Sequence, residues 1–199
     1  MRRRALGFSL VEVMLAVAVL ALILGLGFPS VAELIRNTQT RALAESLQNG
    51  VQKARAEALK RNRNVTFWLV TPAVGTPDAT CTLSAASGSW VVSLDNPATK
   101  CNVAPSPTSD PRIVELQANR ASNLTVAAAD AGGNAVSSVT FNGFGLPVNT
   151  GSAPIGRINI THQQSGARQL RVEISAGGGV RMCDRDVGST DTRACATTF

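Results

Sequence analysis

From Phe8 to Phe28 the chain reads FSLVEVMLAVAVLALILGLGF, 21 residues in which Glu12 carries the single charge. At about 1.5 Å per residue a helix over this run covers roughly 30 Å, the hydrocarbon thickness of a bilayer. Pro29 removes one backbone donor and crowds the preceding turn, so a kink or an unwinding point is expected there. Beyond it, apolar positions recur mostly three and four apart, at Val31, Leu34, Ile35, Leu43, Leu47, Val51, Ala54 and Ala58. That spacing is one face of an amphipathic helix. Arg41 with Glu45, Lys53 with Glu57, and Glu57 with Arg61 stand four apart and support its exposed side. The run from Lys60 to Asn64 places cations and a cap where a helix ends. The pattern therefore predicts one helix of 54 residues, Phe8 to Arg61, roughly 80 Å long. A head of this size cannot bury it, and half must protrude.

After residue 64 the texture changes to short β-branched runs separated by Gly, Pro, Asn and Ser clusters. Strands are expected at Val65 to Thr71, Trp90 to Leu94, Ile113 to Gln117, Leu124 to Ala128, Val136 to Phe141, Gly156 to Thr161, Gln169 to Ser175 and Val180 to Cys183. In RQLRVEIS, Leu170, Val172 and Ile174 face one way while Arg171 and Glu173 face the other. The segment from Asn96 to Pro111, rich in Pro, Ser, Thr and Asn, reads as an exposed loop holding Cys101. The fold class is α+β: a long N-terminal helix, with a transmembrane half and an amphipathic half, packed against a mostly antiparallel β-sheet head. Its segments are residues 8–28, 29–64 and 65–199, preceded by a short basic stretch over residues 1–7.

Charge and cysteine content sharpen this picture. The formal charge of +6 includes Arg2, Arg3 and Arg4 ahead of the apolar run, and without them 16 basic side chains face 13 acidic ones. The three arginines favour the cytoplasmic side, which puts everything after Phe28 outside the inner membrane. A mildly basic remainder does not by itself call for a nucleic-acid partner. The four cysteines, at 81, 101, 183 and 195, show no CxxC spacing, and His162 is the sole histidine. A metal cluster is not expected; disulfides in an oxidising compartment are. Cys81 with Cys101 and Cys183 with Cys195 is the simplest of three connectivities, and spacing leaves the other two open. A cleaved secretory signal would carry a shorter apolar core and small residues at its cut, which GLGFPS does not supply. A plain anchor leaves Glu12 unexplained, because a carboxylate in hydrocarbon costs on the order of 2.5 kcal/mol or more and so marks a partner or a function.

The stretch RRRALGFSLVEVML resembles the prepilin signature of the type IV pilin superfamily. The resemblance implies cleavage between Gly7 and Phe8 by a prepilin peptidase, N-methylation of Phe8, and Glu12 as the fifth residue of the mature chain. It further implies that the α-amino group of one subunit neutralises Glu12 of a neighbour during assembly, a pairing that offsets the cost of two isolated buried charges. The segments QKARAEALKRN, VTFNGFGLPV and RMCDRD…TRAC are similar to minor pilins of the GspH/FimT family, FimU-like members included. The implied partners are other major and minor pilins or pseudopilins, the peptidase, an inner-membrane assembly platform, and membrane lipid before assembly. The implied function is to prime a type IV pilus and sit near its tip, in twitching motility, adhesion or DNA uptake; a pseudopilin of a type II secretion system is the alternative.

No nucleophile, base and orienting group can be assembled, and no catalytic residue or cofactor is expected. His162, at a strand end, is expected to face solvent. The glycines at 132–133 and 177–179 lack the strand-to-helix setting and lysine of a phosphate loop. Some members of the family bind DNA, for which the candidates are Arg157, Arg168, Arg171, Arg181, Arg185 and Arg193. The pattern GRVRVC of such members is matched here by Gly179, Val180, Arg181, Met182 and Cys183, one arginine short, with Asp184, Asp186 and Asp191 close by.

Overall fold

The computed structural model of the chain describes residues 7–196, and within the helix the side chains of residues 23–30 fall outside that description. Arg2, Arg3 and Arg4, and the bend expected at Pro29, lie outside the described residues. The chain divides into two units, residues 1–36 and 37–199.

In the first unit Ser9 opens helix α1 (Leu10–Arg61): its carbonyl accepts the amides of Glu12 at 3.0 Å and Val13 at 3.2 Å. The helix has 52 residues, starting two later than the apolar pattern suggests. From Leu10 to Leu22 its large apolar side chains are exposed, and so are Val31, Leu34 and Ile35. Among the described residues no helix is long and apolar enough to cross a membrane. The described side chains of the apolar run stop at residue 22.

In the second unit the apolar stripe of α1 is buried at Leu43, Leu47, Val51, Ala54 and Ala58. The helix ends in a Schellman-type cap: Asn62 takes a left-handed φ of 46°, its amide reaches the Leu59 carbonyl at 3.3 Å, and the Arg63 amide reaches that of Ala58 at 3.3 Å. Two residues further on the first strand begins. The strands are β1 (Val65–Leu69), β2 (Trp90–Ser93), β3 (Ile113–Gln117), β4 (Leu124–Ala129), β5 (Ser138–Phe141), β6 (Pro147–Val148), β7 (Arg157–His162), β8 (Leu170–Ile174) and β9 (Val180–Asp184). They form a five-stranded sheet in the order β3-β2-β1-β5-β6 and a four-stranded sheet in the order β4-β7-β8-β9. Every strand pairing is antiparallel.

One apolar core joins the helix stripe to Phe67, Trp90 and Phe141 of the first sheet and to Val126, Ile158, Ile160 and Val172 of the second. Gly50 lets the helix approach closely, since a Cβ there would lie 2.7 Å from the Phe67 ring and 2.9 Å from that of Trp90. A second, smaller cluster of Val70, Cys81, Val91, Cys101 and Ile113 covers the other face of the first sheet. The loop after β2 is thus only partly the exposed segment that its composition suggests. Its Cys101 is buried and bonded to Cys81, and Arg112 at its end holds Asp95 through Nε at 2.6 Å. That guanidinium holds the Asp95 carboxyl below its usual range.

Two side chains depart from the faces expected of them. His162 is buried at 6% exposure, because alternation along β7 puts it on the core side with Ile158 and Ile160. Its Nδ1 accepts the Gln164 amide at 3.0 Å. Lys53 does not pair with Glu57; it reaches Glu115 on β3 at 3.6 Å, while Glu57, nearly buried, takes Arg61 at 2.7 Å and Lys60 at 3.7 Å. The pair of Arg41 with Glu45 forms at 2.7 Å.

Candidate functional sites at the N-terminus and on the second sheet

At the N-terminus, Gly7 and Phe8 precede the helix, nothing lies within 4 Å of where a Gly7 side chain would begin, and Phe8 is 83% exposed. Glu12 stands in the first helical turn, three residues after Ser9. There the free amides of the helix start and its dipole favour a negative charge.

The second candidate is the outer face of the four-stranded sheet. Arg157 on β7 is registered with Glu173 on β8, Arg171 with Asn159 and Cys183, and Glu173 with Arg181 on β9. Glu173, which alternation places outside, is only 3% exposed. The C-terminal segment folds over it: Cys183 is bonded to Cys195, Asp184 donates its amide to the Arg193 carbonyl at 2.8 Å, and the Ala196 amide donates to Glu173 Oε1 at 3.0 Å. Arg181 then chelates Glu173 through Nε at 2.8 Å and Nη2 at 2.7 Å.

This geometry sorts the six arginines. Arg181 is committed to Glu173, and Arg193 to Asp191, whose carboxyl its guanidinium and amide pull down to about 2. Arg171 donates to Asn159 Oδ1 at 2.8 Å and lies 3.7 Å from Glu173. Burial, then the nearby charge of Arg185, lowers the pKa of Arg171, with Arg157 acting in the same direction. Arg157, Arg171 and Arg185 therefore share one electrostatic neighbourhood. Arg168 is exposed, with its backbone amide tied to Asn37 Oδ1 at 2.8 Å. Glu173, Cys183 and Cys195 bring three ligand-type atoms within 4.8 Å of one another. Both sulfurs are in the disulfide and offer no thiolate to a metal. The sequence reading missed the role of Glu173, because nothing in local alternation announces a covering segment more than twenty residues away.

An exposed apolar helix start with an acid in its first turn, joined to a helix-on-sheet head, defines the pilin class of protein. The family models agree: residues 2–28 match the prokaryotic N-terminal methylation motif, and residues 43–178 match the type II transport protein GspH family. The chain belongs to the GspH family, a family of structural minor pilins and pseudopilins. It is similar in structure to the type IV minor pilin FimU of Pseudomonas aeruginosa (strain PAO1), solved in two crystal forms. The two likenesses show 15% and 17% identity over 71% and 73% of this chain and 90% and 88% of the other, each with a TM-score of 0.48. No curated protein matches the chain significantly.

Proposed function

We propose that this chain is a minor subunit of a type IV pilus that primes assembly and is incorporated near the tip. The observation that carries this reading is the union, in one chain, of a methylation motif over residues 2–28 with a GspH-family head over residues 43–178. In this reading residues 1–7 are removed by the prepilin peptidase, Phe8 becomes the methylated N-terminus, and residues 8–28 anchor the subunit in the inner membrane with the head, residues 65–199, in the periplasm. Assembly then moves the exposed stripe from Leu10 to Leu22 out of lipid and against other subunits, with Glu12 neutralised by a neighbour's α-amino group. Changing Gly7 to a bulky residue is expected to leave only the longer precursor on a blot. Mature-length protein from that variant would overturn the processing step.

A second reading, a pseudopilin of a type II secretion system, is favoured by the description of the matching family. Deleting the protein separates the two. Loss of surface pili and twitching is the expected result, whereas intact pili with folded enzymes trapped in the periplasm would establish the second reading. DNA binding during uptake draws support only from the shared neighbourhood of Arg157, Arg171 and Arg185 and ranks below both.

A further inference from the structure

Two Asn–Gly pairs occur in the chain, Asn49–Gly50 and Asn142–Gly143. Glycine after asparagine leaves the backbone nitrogen unshielded by a Cβ, so that nitrogen can approach the asparagine's own side-chain carbonyl carbon. The fold treats the two pairs in opposite ways. Asn49 and Gly50 lie inside α1, where the helical ladder engages the Gly50 amide and Gly50 is buried against Phe67 and Trp90.

Asn142 and Gly143 lie in the turn between β5 and β6. Asn142 Oδ1 accepts the amides of Phe144 at 3.0 Å and Leu146 at 3.1 Å. This is an Asx turn, which folds the side chain over the peptide that follows it. The Gly145 amide closes the turn on the Asn142 carbonyl at 2.8 Å. Among the described residues the Gly143 amide, by contrast, donates to no protein acceptor. Nor can the position take a shielding side chain: a Cβ on Gly143 would collide with Asn62 Oδ1 and stand 2.9 Å from the Asn62 carbonyl carbon, at the helix cap. Asn142 is half-buried, and Phe144 beyond it is exposed, so water reaches the turn.

These contacts bring together the parts of a self-modification. A backbone nitrogen with no acceptor to hold its proton stands beside a carbonyl carbon whose oxygen is held by two N–H donors. As Cγ turns tetrahedral, negative charge gathers on that oxygen, and donors at this distance stabilise it as they do an oxyanion.

We propose that Asn142–Gly143 is a site of spontaneous deamidation, promoted by the turn that it builds. The Gly143 nitrogen gives up its proton to solvent and bonds to Asn142 Cγ, and the side-chain nitrogen leaves as ammonia, forming a succinimide. Water then opens the ring at one of its two carbonyls, giving aspartate or isoaspartate. Aspartate keeps the two acceptor bonds and adds a charge near the helix end. Isoaspartate lengthens the main chain by a methylene and pulls against the register of Phe141 with Pro147. The modified fraction therefore records the age of the folded head, whichever filament the subunit serves.

The test follows the full-length chain in detergent micelles at mildly alkaline pH, with the same chain unfolded in guanidinium as the reference. Peptide mass spectrometry measures deamidation at Asn142 and Asn49 in each, and isoaspartate among the products marks the succinimide route. Folding is expected to slow Asn49 by about tenfold or more, as a protected helical backbone should, and to leave Asn142 at least as fast as in the unfolded chain. An Asn142 slowed by folding, equal retention at the two sites, or a product of aspartate alone would each overturn the inference.

Discussion

Glu173 and Arg181 stand opposite each other across the β8–β9 ladder, and the guanidinium holds the carboxylate's Oε2 with a hydrogen bond from Nε at 2.8 Å and with Nη2 2.7 Å away. The carboxylate is buried while the arginine side chain is 52% exposed, so the pair is asymmetric. Arg181→Gln leaves the buried charge with only Arg171 at 3.7 Å and the Ala196 amide, and should cost about 2 kcal/mol, less than breaking a fully buried pair would. Glu173→Gln, which removes the charge itself, should cost less. Urea denaturation reads both, and an unmoved midpoint in Arg181→Gln would show that the pair does not hold the segment.

The same pair decides how DNA binding should be tested. Any Arg181 variant mixes lost phosphate contact with lost stability, whereas Arg168 and Arg185 are exposed. Little or no DNA binding is expected from the wild-type chain. Micromolar binding at physiological salt, with a salt slope lowered by about 2 in Arg168→Gln/Arg185→Gln, would reverse that expectation.

Glu57 supplies a pH dependence. Its hydrogen bond from Arg61 lowers its pKa from the ordinary 4.5, against a smaller opposing effect of burial. The folded state therefore binds this proton more weakly than the unfolded state. The stabilisation is complete above pH 4.5 and is lost as pH falls through the lowered folded value. Glu57→Gln should flatten the stability profile below pH 4.5. An unchanged acid limb would count against this pair as a contributor.

Gly50→Ala sets two effects against each other. Helix propensity favours alanine by roughly 1 kcal/mol, but the new methyl would meet the rings of Phe67 and Trp90 at 2.7 and 2.9 Å. Both rings are buried, so overpacking of about 1–3 kcal/mol should win. A raised melting temperature would show that the rings yield freely.

The Cys183–Cys195 bond closes a loop of sequence separation 12. Replacing both cysteines with serine should cost roughly 2–4 kcal/mol and open the chain beyond Asp184 to protease before the rest of the head. Uniform cleavage across the head would argue that the loop has no local role.

Eight of the nine strands were legible because each is a short β-branched or aromatic run between turn residues, some of them with a clean period of two, as in Leu170, Val172 and Ile174. β6 was not, since two residues containing Pro147 carry no period. The helix face from Leu43 to Ala58 was legible for the same reason as the strands. Strand order was not, because period says which face is apolar and nothing about which neighbour supplies the hydrogen bonds. Glu173 shows a further limit: alternation assigns an outside, but whether that outside meets water depends on a segment arriving from the chain end. His162 was misjudged by residue type although its alternation with Ile158 and Ile160 was readable. For the N-terminal site the sequence supplied the motif, and the fold added the first-turn position of Glu12.

The central strand of the first sheet, β1, pairs with β2 and β5, and the core that holds the helix stripe also takes in Val172 and Ile174 of β8. In a chain made N-terminus first, more than a hundred residues follow Arg61 before Ile174 exists. At ordinary synthesis rates that interval is on the order of ten seconds. Throughout it the stripe from Leu43 to Ala58 lacks part of its apolar cover, an invitation to chaperones and to premature contact with other nascent subunits. Maturation of this protein is thereby paced by its own C-terminal half, and truncations that spare the anchor should be degraded rather than assembled.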